Sequence, residues 1–300
     1  MPDRRAFLRA AGARCAPGLL ALAGGIGASA QDVQPEASAA KDDPLATDLV
    51  RTGLYLIRGG GGNSLLRLSA NGMVLVDGKL AGSYGALMTQ VRRVARLSDM
   101  AVRVLVLTDH HEAHAGTSAE FIAARVPIVA QRNALARLPP SESPEAASAT
   151  PMIAYDTERV LRMGGVEVRL KHFGAARTDG DSVAFFSDLR IVAVGDLLTA
   201  GAPEPDFSAG GSLVGWAAVL ARVLELDFDR VVPGVGPVVE RSALVAFKER
   251  LDVVVSRAGA LVRDGVGKSE LMARLRTDDL GWRFDFTGVA LDRLFAELRG

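Results

Sequence analysis

The sequence predicts an α/β protein, a four-layer αββα sandwich closed by C-terminal helices. Three observations predict it. Two halves of the chain are each rich in short strands and each carries helices, without the regular alternation of parallel βαβ units. The continuous apolar run Val104-Leu105-Val106-Leu107 reads as a buried strand that feeds directly into a loop holding His110, His111 and His114. After Glu240, the residues Leu244, Phe247, Leu251, Val254, Val255 and Ala258 share one helical face.

The elements follow in order. Asp3-Arg4-Arg5-Ala6-Phe7-Leu8-Arg9 resembles a twin-arginine export signal, and Ala28-Ser29-Ala30 is a small-x-small cleavage site. Residues 1–30 are therefore read as a signal peptide cut after Ala30, with a periplasmic or secreted destination. The stretch from Ala16 to Ala30 is too short and glycine-rich for a membrane span, and no later apolar run is long enough. Residues 31–47 are polar, alanine-rich and aperiodic, and are read as a linker. The domain is assigned to 48–240 and a helical extension packed on it to 241–300.

Within the domain, alternating or continuous apolar runs predict strands over 54–57, 63–68, 73–76, 104–107, 128–130, 166–170, 183–186, 191–194 and 231–232. Helical spacing predicts helices over 83–97, from Thr117 or Ser118 through Ile122, over 214–226, and over 289–298 at the end. Pro139 to Pro151 reads as a surface loop.

Composition bounds the function. With 300 residues and 49% hydrophobic content, the chain can bury a large core. Lys plus Arg balances Asp plus Glu at 35 each, and aromatics are 5%, so a nucleic-acid partner is not expected. Cys15 is the one cysteine and lies inside the signal, so the mature chain has no thiol. It forms no disulfide, and any metal must be held by His, Asp or Glu.

Three of the four histidines fall within five positions, His110 to His114, after the buried strand. A strand end is where a rigid scaffold presents side chains, and neutral imidazole binds zinc. The same cluster is also compatible with a polar loop whose histidines meet only local hydrogen bonds. His172, Trp216 and Trp282 read as structural residues. The glycine run 59–62 lacks phosphate-loop spacing.

The stretch Thr108 to Gly116 resembles the signature loop of the metallo-β-lactamase superfamily, Thr-His-x-His-x-Asp-His-x-Gly. Ala176-Arg177-Thr178-Asp179-Gly180-Asp181, Gly195-Asp196-Leu197 and Pro233-Gly234-Val235-Gly236-Pro237 resemble its later ligand segments, in the same order. Asn63, the strand to Asp77 and Asp206-Phe207-Ser208-Ala209-Gly210-Gly211-Ser212 look like an exported branch. The resemblance spans about Leu49 to Glu240 and implies a metal-dependent hydrolase with two zinc ions.

It also implies where the pattern breaks. His111, His114 and Asp196 match ligand positions. Asp109 stands where the first histidine is placed, Ala113 replaces the loop aspartate, Arg177 replaces the second-segment histidine and Val235 the last one. Asp77 and Thr178 are read as supports. The residual metal candidates are Asp109, His111, His114 and Asp196, for no zinc or one weakly bound zinc. A guanidinium cannot ligate a metal and repels one. Arg177 is therefore expected to replace the metal's charge and to bridge Asp109 and Asp196 by charge-assisted hydrogen bonds, within hydrogen-bond distance of at least one of them.

The expected function is a pseudoenzyme or much-reduced hydrolase. The alternatives are an active hydrolase with an altered mononuclear site and metal-bound water, or a non-catalytic binding or assembly protein. The expected partner is an unknown small molecule or none, with the C-terminal helices as the surface for any homo-oligomer.

Overall fold

The structure is a computed structural model that describes residues 44–95, 100–140 and 144–300. The signal-peptide reading and most of the linker lie outside the described residues.

The first half builds one sheet. Its strands are β1 (Ala46–Arg51), β2 (Leu54–Arg58), β3 (Ser64–Ser69), β4 (Gly72–Val76), β5 (Val102–Val106), β6 (Ile128–Gln131) and β7 (Met152–Tyr155), in spatial as well as sequence order. The pairs from β1 to β4 are antiparallel, and those from β4 to β7 are parallel. Between them run α1 (Tyr84–Ala95), α2 (Glu112–Ala115), α3 (Ser118–Ala123), α4 (Arg132–Ala136) and α5 (Pro144–Ala149).

The second half builds the other sheet, from β8 (Glu158–Met163), β9 (Val166–Lys171), β10 (Val183–Phe186), β11 (Ile191–Gly195), β12 (Arg230–Pro233) and β13 (Val239–Glu240). All its pairs are antiparallel except β11 with β12. Its helices are α6 (Leu213–Val223), α7 (Arg241–Arg263), α8 (Lys268–Arg274) and α9 (Gly288–Arg299).

The period-2 alternation of the strands explains the layering. In β4, Val74 and Val76 point between the sheets, while Met73 and Leu75 point outward to α1 and α3. In β11, Ile191 and Ala193 point between the sheets, and Val192 and Val194 point to the α6–α7 side. Every one of these eight side chains is buried. Both faces of each central strand therefore need apolar residues, which is why these strands read as continuous runs. Burying each of them other than Ala193 contributes roughly 1.5–3 kcal/mol. The outer face of the second sheet is closed by Trp216 of α6, Phe247 and Leu251 of α7, Leu294 of α9, and Trp282. The ring of Trp282 meets that of Phe247 edge-on at 5.1 Å. Among the described residues no helix is long and apolar enough to cross a membrane.

The structure differs from the sequence reading at the edges. β1 begins at Ala46, two residues inside the stretch read as linker. It is an exposed edge strand whose backbone pairs with β2, so it carries no apolar pattern. The stretch read as a loop, Pro139 to Pro151, contains α5, an exposed turn and a half of helix made by Glu145-Ala146-Ala147-Ser148-Ala149. There, alanine's high helix propensity wins over the flanking prolines. β7 and β8 were not expected. β8 is an edge strand whose charged residues Glu158, Arg159 and Arg162 interrupt its alternation.

Register places the site. Val76 pairs with Val106, so β4 and β5 end together and Asp77 and Thr108 emerge side by side. Gly195 pairs with Pro233, so β11 and β12 end together and Asp196 and Gly234 emerge side by side. All four strand ends open on one edge of the sandwich.

Candidate metal centre and its charge cluster

Asp77 is the floor of the site. It is buried and adopts a left-handed backbone conformation (φ 61°). Its carboxylate accepts hydrogen bonds from Thr108 N and Thr108 Oγ1, both at 2.7 Å. That locks the first residue of the histidine loop to the neighbouring strand. The second half is tied to the same residue, because Ser182 N donates to Thr108 O at 2.8 Å. Gly195 (φ +52°) has to be glycine, since a Cβ there would sit 2.4 Å from Thr108 Oγ1.

His114 stands on that floor with no exposed surface. Its Nδ1 lies 3.1 Å from Asp77 Oδ2, its Nε2 lies 3.0 Å from Asp196 Oδ1, and Nε2 lies 3.8 Å from Asp109 Oδ2. Burial opposes a charged ring, but Asp109, Asp196 and Asp77 outweigh it and hold this imidazole well above the ordinary histidine range. The ring is an imidazolium set among three carboxylates. Burial pushes Asp77 up, with His114 opposing. Burial also acts to raise Asp196, yet His114, Arg177 and His111 hold it below the usual carboxylate range.

Arg177 closes the cluster from the other side. Its Nε lies 3.1 Å from Asp196 Oδ2, within the distance expected from the sequence. The contact is an ion pair only, because the buried Nε–H is not aligned on an acceptor among the described residues. Asp109 meets His114 and the His111 loop instead, with His111 N donating to Asp109 Oδ1 at 2.7 Å.

The remaining expected residues line the same edge. Thr178 supports the turn after Arg177, donating from N and Oγ1 to Asp181 at 2.8 and 2.7 Å. Asp181 is buried, and burial followed by the nearby charge of Asp109 pushes its carboxyl up to about 7. His172 is structural, its Nδ1 sitting 2.7 Å from Asp181 O. Val235 is half-buried in the turn after β12. Asn63 fixes that turn across the sandwich, donating through Nδ2 to Pro233 O (2.9 Å) and Gly236 O (2.8 Å). Gly234 presses its backbone against Asp196 so closely that a Cβ would meet Oδ1 at 2.3 Å.

Two sets of side chains could hold a metal ion. Asp109, His111 and Asp196 each offer one ligand atom within 4.8 Å of the others. So do His110, His111 and Asp206, a group that sequence reasoning did not single out. Asp206 was noted only as part of a segment. Lys79 was missed altogether. Its fully buried ammonium donates to Ile57 O (2.6 Å) and Gly62 O (2.5 Å), and burial pushes it down to about 7. It holds the glycine run behind the loop, and nothing in its sequence context signals this.

Ala113 and Val235 carry no ligand atom, His114 meets carboxylates at both ring nitrogens, and a guanidinium lies beside Asp196.

No family model matches the sequence, and a search of curated proteins returns no match. Solved structures do match. A metallo-beta-lactamase from Pontibacter korlensis superposes with a TM-score of 0.59 at 20% identity, over 69% of this chain and 99% of that one. The DIM-1 metallo-beta-lactamase superposes at 0.58 with 14% identity, over 70% and 97%. The FIM-1 metallo-beta-lactamase from Pseudomonas aeruginosa, in a mono-zinc form, superposes at 0.57 with 16% identity, over 71% and 97%. At these identities the likeness establishes the fold, the αββα sandwich of the metallo-β-lactamases.

Proposed function

We propose that this protein keeps the frame of a two-metal hydrolase without its binuclear centre, and is a pseudoenzyme or at most a much-reduced hydrolase. The observation that carries this reading is Arg177. Where the resemblance implies a metal-binding histidine, a permanently charged guanidinium lies 3.1 Å from Asp196. A dication there would face a fixed positive charge and would compete with it for the bridging carboxylate. That guanidinium also offsets a carboxylate that would be costly to bury alone.

A second reading has one observation in its favour. Asp109, His111 and Asp196 still converge, so a single weakly held zinc could sit there in an altered mononuclear hydrolase. One of the structural neighbours was solved with a single zinc.

Turnover separates the two readings. The mature protein, in excess zinc, is expected to hydrolyse none of a chromogenic β-lactam, a thioester and a phosphodiester. Efficient hydrolysis, comparable with that of a two-zinc enzyme and lost both with a chelator and in Asp196→Asn, would overturn the proposal. In the same assay, Asp109→His, Ala113→Asp, Arg177→His and Val235→His combined should gain metal-dependent turnover.

A further inference from the structure

The inner carboxylates are already matched with cations, but the rim of the same edge is not. We infer that this protein binds one divalent ion of the imidazole-preferring kind, such as zinc, nickel or copper, on His110, His111 and Asp206. That site lies outside the position implied by the family resemblance and uses two residues that the resemblance leaves unassigned.

Four features carry the assignment. First, the three ligand atoms lie within 4.8 Å of one another. Donors on one tetrahedral zinc at about 2.1 Å lie about 3.4 Å apart, so side-chain movements on the order of an ångström close the set. Second, neighbouring residues on a strand face opposite sides, whereas this turn stacks the rings of His110 and His111 at 4.7 Å and 26°. Both imidazoles therefore serve one place. His110 Nδ1 is buried and has no hydrogen-bond partner among the described residues, while His111 Nδ1 lies 3.5 Å from Asp109 Oδ1.

Third, Asp206 is aimed. Its Oδ1 accepts from Ser208 N (3.0 Å), Ser208 Oγ (2.5 Å) and Ala209 N (3.1 Å). That leaves Oδ2 pointing at His111 Nε2, 3.3 Å away. Hydrogen bonds to one oxygen commonly orient a ligating carboxylate in this way. Fourth, the nearby guanidinium groups are engaged elsewhere. Arg137 pairs with both oxygens of Asp179, at 2.5 and 3.1 Å, and Arg177 pairs with Asp196. On the inner side His111 meets Asp109 through N and Nδ1, which leaves its Nε2 to the rim, and both Asp196 oxygens face cations.

His111 and Asp206 keep 22% and 30% of their side-chain surface exposed, so solvent reaches the group. Three protein ligands leave a fourth position for water or an incoming ligand.

Cobalt(II) and zinc titrations of the metal-stripped protein test the assignment, with visible absorbance reporting cobalt and calorimetry reporting zinc. The expected result is one ion per chain. His110→Ala, His110→Gln and Asp206→Asn should each weaken binding at least tenfold, with thermal unfolding little changed. Asp196→Asn should change it less than threefold. No binding by the wild type would overturn the inference, as would loss on Asp196→Asn with His110→Ala silent, which would put the ion in the inner set. This outcome is independent of turnover, so the proposed loss of hydrolysis can stand or fall separately.

Discussion

The buried floor of the site and the exposed ion pairs around it treat charge in opposite ways. On the floor, Asp77, Asp109 and Asp196 surround His114, Arg177 pairs with Asp196, and each ion is buried or mostly buried. There the groups hold one another's charge state, and removing one strands the rest. On the rim, Arg137 with Asp179 and Arg132 with Asp156 pair in reach of solvent. Water can replace either partner there, and the pairs act independently. The contrast teaches that carboxylates gathered in a buried space need cations buried with them, and here His114 and Arg177 stand beside them.

The largest test of this contrast is His114→Ala. It leaves three carboxylates facing one another in a buried space, and the expected loss is roughly 3–5 kcal/mol in urea unfolding at neutral pH. A loss under about 1 kcal/mol would mean that the floor behaves like the rim.

An intermediate effect is expected in the pH dependence. Asp181 titrates near 7 in the folded chain against 3.8 for the ordinary carboxyl. Between these values the folded state holds the extra proton. Its contribution therefore favours folding below about pH 4 and is lost as pH rises towards 7, at up to about 1.4 kcal/mol per pH unit. Asp181→Asn should flatten that slope in denaturant midpoints taken from pH 4 to 7. An unchanged slope would detach Asp181 from the cluster. His114 adds a limb of the same sign at higher pH, since its raised folded value keeps stability below 6.5 and loses it as pH rises through the raised value.

The smallest effect belongs to the rim. Arg137→Ala removes a two-toothed pair that is about one-third exposed on each side, and should cost less than about 1 kcal/mol by thermal unfolding. A larger loss would show that the rim is wired into the floor through Asp179.

The sequence announced the layers and the loop for a physical reason. A strand buried on both faces has to be apolar at every position, so β4 and β11 stand out as runs, as does the stretch from Val104 to Leu107 at the end of β5. Arg177 was legible through charge logic, since two carboxylates in one cleft require a cation. The rest hid where backbone geometry or distant contacts decide. β1 and β8 are edge strands and need no apolar stripe on the open side. Lys79 is an ordinary lysine until two carbonyls surround it. Asp206 joins His110 and His111 only because Asp206 N donates to Arg177 O at 2.7 Å, which folds its loop over the second segment.

Asn63 donates to the carbonyls of Pro233 and Gly236, partners 170 and 173 residues away along the chain. A clasp of that span closes only after both sheets exist and have met, and long-range closure of this sort is slow compared with local helix formation. The edge that carries the charge cluster is therefore held by contacts between the two halves of the chain, and a cut in the chain between those halves would leave both sheets continuous.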